Sequence, residues 1–448
     1  MKSELQLKTK LGHIGEFRNG ANFSQKDFGE GFSIINVKQL FRGRYASFDN
    51  LETVIPSSIS SPENLFLKDG DILFARSSVK RSGSGQVAMV CNPPKNSIFS
   101  GFIIRFRITD KESAYPLFLN YLLRSAKYRE LFQRIANGTT IFNLSQDALS
   151  DIDVSLPSLC HQKSIAHILG AIDDKIELNK KTNKTLEETA KALFKSWFID
   201  FDPVKAKMEG RSTGLPDEIS DLFPDSFEDS EAGQIPKGWE ITNLDKTTSK
   251  FTTGLNPRKN FILGSGDNFY VTIKSLGDLQ VLLDQKCDKV DDEAIKKINS
   301  RSDLQSNDIL FSGIGTIGKV VYVYDDPKNW NISESVFSLR ANNNLISPPF
   351  LYQLLKSHKL QSYAFALASG SVQKGIRMGD LKNYEFVKPH FDIQKIFEII
   401  SSPMIQKISI NLKQNNTLKS IRELLLPKLI SGEIRIPDAE KIMEEIDF

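Results

Sequence analysis

The sequence predicts a mixed α/β (α+β) protein: two similar globular segments, each followed by a long helix, with the helices paired as an antiparallel coiled coil. Three observations carry this. The chain has 448 residues, enough for two or three domains. It resembles itself at an offset of 232 residues, the kind of internal period that decides architecture first. Each copy then ends in an apolar heptad seam with two asparagines at its middle.

The repeat is read residue by residue. Phe118, Leu119, Leu122, Leu123, Ser125 and Lys127 recur as Phe350, Leu351, Leu354, Leu355, Ser357 and Lys359. Pro157, Gln162 and Lys163 recur as Pro389, Gln394 and Lys395. About one residue in four is identical over positions 116–193, without a gap. Upstream the register drifts by a few residues, and Asp71–Phe74 answers Asp308–Phe311. Strands are expected at Asp71–Ala75, Gln86–Val90 and Phe102–Phe106, and again at Asp308–Ser312, Lys319–Tyr324 and Val336–Leu339, where apolar residues alternate or cluster at strand length. Helical spacing covers 116–134 and 348–366. Residues 200–238, acidic and holding four prolines, read as a connector. The resulting division is 1–155, a helix over 156–199, the connector 200–238, a second globular segment 239–388, and a distal helix with a tail over 389–448.

The first seam runs through Ile165, Ile172, Asn179, Leu186 and Leu193, with Leu169, Ile176, Asn183, Ala190 and Trp197. The second runs through Phe397, Met404, Asn411, Leu418 and Leu425, with Ser401, Ile408, Asn415, Arg422 and Leu429. Steps of four and three are the coiled-coil period, and a polar residue at a seam position fixes register at a cost in stability. Asn179, Asn183, Asn411 and Asn415 are therefore the expected pairing residues. A helix of about 36 residues spans ~54 Å. Pro427 is expected to interrupt the second helix. Two separate amphipathic helices, each packed on its own domain, are the alternative.

Composition narrows the function classes. With 40% hydrophobic and 25% charged residues, the chain is neither disordered nor low in complexity. Its three cysteines, Cys91, Cys160 and Cys287, suit no disulfide framework or zinc spacing. No apolar run reaches the roughly 18 residues of a membrane span, and no secretory leader is apparent at residues 1–20, so a cytoplasmic protein without membrane partners is expected. The net charge of +3 divides unevenly. Residues 1–155 carry 20 basic against 15 acidic side chains, 239–388 carry 19 against 16, and the connector 4 against 10. Two basic blocks are compatible with a polyanionic partner.

Two tempting motifs fail. Gly313–Lys319 fits the first seven positions of a phosphate-binding loop, but Val320 replaces the hydroxyl residue that holds Mg²⁺, and Val320–Tyr324 reads as strand rather than helix. Asn92-Pro93-Pro94-Lys95 lacks the aromatic residue that would stack on an extruded base. Both read as turns. The histidines show no metal-ligand spacing, so no catalytic or metal site is assigned. What remains is a set of basic and amide side chains in loops at matching points of the copies. In the first copy these are Arg76, Ser77, Lys80, Arg81, Ser84 and Gln86, then Thr139, Thr140 and Asn143. In the second they are Lys319, then Ser371, Gln373, Lys374 and Arg377. Such groups read base edges and hold phosphates. Phe194, Trp197, Phe198 and Phe201 form an aromatic cluster that suits docking of a partner or capping of the chain's own core.

The run Leu156-Pro157 with Gln162-Lys163, then Ile168-Leu169, Ile172–Ile176, Asn179, Asn183, Leu186, Ala192–Phe198 and Asp200–Val204, closing with Leu425–Ile434, resembles the DNA-specificity subunit of type I restriction–modification systems. The resemblance covers nearly the whole chain. It implies that 1–155 and 239–388 are target-recognition domains, each reading one half of a split site in double-stranded DNA, with the helices as a ruler. It implies two modification subunits that bring S-adenosylmethionine and methylate adenine N6, and restriction subunits that add an ATP- and Mg-dependent nuclease. No cofactor is then expected in this chain. A nucleotide-dependent enzyme working through Gly313–Lys319 and a coiled-coil scaffold without DNA contact stand as the competing readings.

Overall fold

A computed structural model describes residues 7–41, 43–231, 233–258, 260–370 and 374–444. The chain divides into two compact units, residues 1–178 with 414–448, and residues 179–413. Each unit is described separately.

In the first unit a four-stranded antiparallel sheet runs in the order Gly15–Asn19, Ile103–Ile108, Ile72–Ala75 and Val87–Met89. Its strands Ile72–Ala75 and Val87–Met89 are apolar on both sides because both faces are covered. Ile72, Phe74, Ile104 and Phe106 face one core, while Leu73, Ala75, Ala88 and Ile103 face another. This is why Asp71–Ala75 reads as a continuous apolar run rather than an alternating one. The helices Pro116–Arg124 and Ala126–Ile135 pack on the first face. On the second lies a three-stranded sheet of Glu52–Val54, Phe28–Ile35 and Ile98–Phe99. Strand Leu7–Lys10 pairs with Asp153–Leu156 and delivers the chain into the first long helix, Leu159–Phe198.

The second unit repeats this plan. Its four-stranded sheet orders Thr248–Thr253, Val336–Ala341, Ile309–Ser312 and Val320–Tyr322. Its three-stranded sheet orders Asp288–Val290, Asn268–Val271 and Trp330–Ile332. Its helices are Pro348–Lys356 and His358–Ala366. Strand Glu240–Asn243 pairs with Glu385–Lys388, ahead of the second long helix, Phe391–Ser431. The expected strands are all present. The helical spacing over 116–134 and 348–366 resolves into two helices in each copy, divided at Ser125 and Ser357, whose extended backbone ends one helix and starts the next.

Two buried devices recur. Asp71, almost fully buried, takes a two-point ion pair from Arg107 at 2.7 Å on both contacts. Asp308 takes the same pair from Arg340 at 2.7 and 2.9 Å. At the start of the first long helix the buried Gln162 donates to the carbonyls of Ser113 (2.8 Å) and Pro157 (2.9 Å) and accepts from the Tyr115 amide (2.9 Å). Gln394 donates to the equivalent carbonyls of Leu345 (3.2 Å) and Pro389 (3.0 Å). Each glutamine ties its helix to the loop before the preceding helical layer. Gln162→Ala leaves two buried carbonyls and one amide without a partner, so a loss of about 2 kcal/mol in urea unfolding is expected. A loss below about 0.5 kcal/mol would show that the latch does not hold the helix.

The seams pack as their spacing requires. In the first unit Ile165, Leu169, Ile172 and Ile176 share a core with Leu418, Leu425 and Leu429. The Arg422 that departs from the apolar seam is answered by Asp173 at 2.5 Å. Tyr121 donates to the same carboxylate at 2.8 Å, and burial, reinforced by that negative charge, holds its phenol protonated far above the ordinary range. In the second unit Asn411 Nδ2 donates to Asn183 Oδ1 at 2.7 Å, both residues being buried. Later in the first helix and earlier in the second, Phe194 meets Phe397 at 5.8 Å between ring centroids, so the segments run antiparallel. Asn179 and Asn415 are also buried.

Three expectations change. Pro427 does not interrupt the second helix. It and Pro403 stand exposed on the outer side, where the missing amide and the crowded carbonyl are spared a packed neighbour, while Leu425, Leu426 and Leu429 hold the helix from within. Residues 200–238, expected as a connector, carry structure of their own. They form helices Asp202–Met208 and Asp217–Ser220 and the hairpin Phe227–Ser230/Gly233–Pro236, with Val204 and Phe223 in the core of the second unit. The tail beyond the second helix forms a further helix, Ile436–Glu444, whose Ala439 and Met443 complete the core of the first unit.

Candidate nucleic-acid interface

In each unit the two basic loops, far apart in sequence, are stitched to one another. In the first, strand Ile72–Ala75 leaves the sheet into a loop of residues 76–86 before Val87–Met89. The Arg76 amide donates to the Phe102 carbonyl (2.8 Å), and the Leu144 amide donates to the Arg76 carbonyl (2.9 Å). Ser77–Ser78 then pair antiparallel with Phe142–Asn143. Loop 137–143 is itself closed by reciprocal Asn137–Asn143 amide bonds of 3.0 and 2.8 Å.

The second unit uses the same bonds. The Gly313 amide donates to the Ser335 carbonyl (3.0 Å), the Ile376 amide to the Gly313 carbonyl (2.9 Å), and Ser369 and Gly375 close their loop at 3.0 and 2.9 Å. Gly138 and Gly370 turn these loops at φ +124° and +128°, a region that L side chains rarely adopt. A Cβ on Gly138 would also stand 2.0 Å from the Ile141 carbonyl oxygen.

The frame is shared and the side chains are not. Counterparts through these bonds are Arg76 and Gly313, Ser77 and Ile314, Gln86 and Lys319, Phe102 and Ser335, Phe142 and Lys374, Asn143 and Gly375. The first hairpin loop has eleven residues (76–86) and the second seven (313–319).

The expected residues that the structure describes have definite places. Lys80, Arg81, Thr139 and Asn143 are exposed, whereas Arg76, Ser77 and Gln86 are half-buried. Ser77 donates to Asn143 Oδ1, and Arg76 reaches the Gly101 carbonyl at 3.4 Å. Arg81 donates to the Gln133 carbonyl at 2.9 Å and lies 4.7 Å over the Phe142 ring, so it is a braced cation. Lys374 and Arg377 are exposed. Lys319 is half-buried and its ammonium is bound to the Leu276 carbonyl at 2.6 Å, which makes it a support of its loop. Gln373, with Ser371, lies outside the described residues.

The phosphate-loop likeness of Gly313–Lys319 dissolves. The segment closes the antiparallel hairpin Ile309–Ser312/Val320–Tyr322, with Ser312 Oγ accepting from the Lys319 amide at 2.7 Å. Asn92–Lys95 is a turn, as expected. The aromatic cluster is corrected as a docking surface. Phe194, Trp197 and Phe198 are 2–3% exposed and pack on Phe350, Phe397, Phe223 and Trp239 of the same unit, while Phe201 edges against Trp239 at 5.6 Å. Phe194, Trp197 and Phe198, so enclosed, offer a partner no surface, whereas Phe201 is half-buried.

Spacing gave no sign of two supports. Arg129 holds the first hairpin loop through the carbonyls of Ser82 (2.7 Å) and Ser84 (3.3 Å), and its burial pulls its pKa below the ordinary arginine value. Arg124 donates to the Val87 carbonyl at 2.8 Å. Both sit on helices whose charged residues look like ordinary surface cations in sequence. Only the fold brings them under the loop.

Cationic and hydrogen-bonding groups on paired loops suit contacts to phosphates and base edges. The comparisons agree. The chain matches the type I restriction modification DNA specificity domain over residues 4–188 and again over 236–420. It is 29% identical over 413 residues to the type I restriction enzyme HindI specificity subunit of Haemophilus influenzae, covering 82% of this chain and 87% of that one. It is 25% identical over 446 residues to the MjaIX specificity subunit of Methanocaldococcus jannaschii, covering 96% and 93%. The crystal structure of a type I restriction–modification S subunit from M. genitalium shares the fold at a TM-score of 0.54 with 17% identity, over 96% of this chain and 97% of that one. The chain belongs to the type I restriction modification DNA specificity family, and carries that domain twice.

Proposed function

We propose that each unit reads one half of a bipartite DNA target through its stitched loops, and that the two long helices set the distance between the halves. The observation that carries this reading is the shared loop frame with divergent side chains. Two copies of one frame present half-sites with the same geometry, and different residues on it read different bases, so the target is asymmetric. Family membership makes the chain the specificity component, without catalysis of its own. In this reading two modification subunits supply S-adenosylmethionine and the adenine-N6 transfer, and restriction subunits supply the ATP- and Mg-dependent steps. The exposed Lys80, Arg81, Lys374 and Arg377 hold the duplex, with Ser77, Gln86, Thr139 and Asn143 placed for base edges or phosphates.

The test is the purified complex on duplex DNA. Affinity is expected to fall steeply with salt, log–log slope about −0.9 per phosphate contact. Alanine at Lys80, Arg81, Lys374 and Arg377 together is expected to weaken binding at least tenfold and flatten that slope by up to about four contacts. An unchanged slope would remove these loops from the interface. Methylome sequencing of the host with and without the protein identifies the target itself.

A further inference from the structure

The first unit's loops expose apolar side chains that packing does not explain. Val79 is 76% exposed, Phe102 57%, Phe41 53% and Ile141 50%. Val79, Ile141 and Phe102 lie on segments joined by backbone hydrogen bonds. Ser78 pairs with Phe142 at the end of the short ladder, and Val79 and Ile141 are the next residue beyond it on each segment. Phe102 gives its carbonyl to the Arg76 amide. A Cβ on Gly83, in the same hairpin loop, would stand 3.9 Å from Phe41 Cζ. Lys80 and Arg81 follow Val79 directly and are exposed.

We infer that Val79, Ile141 and Phe102 read thymine, by contact with the 5-methyl group in the major groove. This rests on the recognition reading above and names what one half-site contains. The thymine methyl is the apolar group that the major groove presents, and apolar side chains select it. Val79 and Ile141 are β-branched and stiff at χ1, so little side-chain freedom remains to be lost on contact. The adjoining cations favour a polyanion over a protein as the occupant. The divergence between units points the same way. A face that docked two copies of one subunit would be alike in both units, whereas Phe102 is answered by Ser335, and Val79 lies in the longer of the two hairpin loops.

The experiment uses the chain assembled with its modification subunits and fluorescent duplexes of the methylated target. Each thymine is replaced singly by deoxyuridine, which removes the methyl and leaves the pairing edge. At one or more thymines of a single half-site the wild-type complex is expected to bind about fourfold more weakly, the worth of one buried methyl. Val79→Ala, Ile141→Ala or Phe102→Ala is expected to abolish that difference while leaving deoxyuridine scans of the other half unchanged. Sequence-specific binding with no methyl-sensitive thymine overturns the inference alone, as does undiminished sensitivity in all three variants. Variants that stay folded yet fail to assemble with the modification subunits assign the face to a protein partner and overturn it too. A wild-type complex without any sequence preference overturns the recognition reading itself.

Discussion

Insertion of seven residues between Asn183 and Phe194 is expected to unfold the second unit. Seven residues carry a helix through nearly two turns, so the seam still faces its partner, but they displace everything beyond them by about 10.5 Å. Asn183 then stays opposite Asn411 only if Phe194 and Trp197 leave Phe397, and the reverse holds as well. Both cannot be kept. Losing the register of Phe194, Trp197 and Phe198 empties sites worth about 3–5 kcal/mol each on truncation, against a typical domain stability of 5–15 kcal/mol. Thermal unfolding and limited proteolysis read the outcome. A second heptad inserted between Phe397 and Asn411 is expected to restore folding, because it restores the register. Wild-type stability and an unchanged DNA target in the single insertion would contradict the antiparallel pairing.

The second large effect concerns the paired ion bridges. Arg107→Met leaves Asp71, 1% exposed, without its two-point partner, and Arg340→Met does the same to Asp308. An uncompensated buried carboxylate costs about 3–5 kcal/mol, and the partial exposure of both arginines places the expected loss near 3 kcal/mol. Replacing both partners, as in Asp71→Asn with Arg107→Met, is expected to cost less than the single change. Chemical denaturation of the three variants checks this. Equal losses in the single and double variants would show that the carboxylate is not the penalised group.

Much of this molecule was legible because its signals are periodic or repeated. The heptad spacing located Ile165, Ile172, Asn183, Asn411 and Leu418 at buried seam positions, since a helix that must hide one stripe writes that stripe into its sequence. The offset repeat placed the strand at Ile72–Ala75 and its counterpart at Ile309–Ser312. What failed was local. Pro427 and the prolines of 200–238 argue for a break or a linker, and tertiary packing overrode both. The aromatic cluster at Phe194–Phe198 was ambiguous because burial against one's own chain and burial against a partner call for the same residues. The loop set was found by residue type alone. That Ser77 meets Asn143, that Arg129 lies beneath the hairpin, and that Lys319 is already engaged are long-range facts that no spacing encodes.

The hairpin loops begin and end on identical hydrogen bonds in the two units, Ala75 with Gln86 and Gly85, Ser312 with Lys319 and Gly318. A segment that plugs into matching sockets is a cassette. Recombination between the halves of the gene, or with a related gene, can exchange such cassettes without redesigning the frame that receives them. If these loops read the target as proposed above, such an exchange would change what one half of the chain recognises while leaving its frame intact.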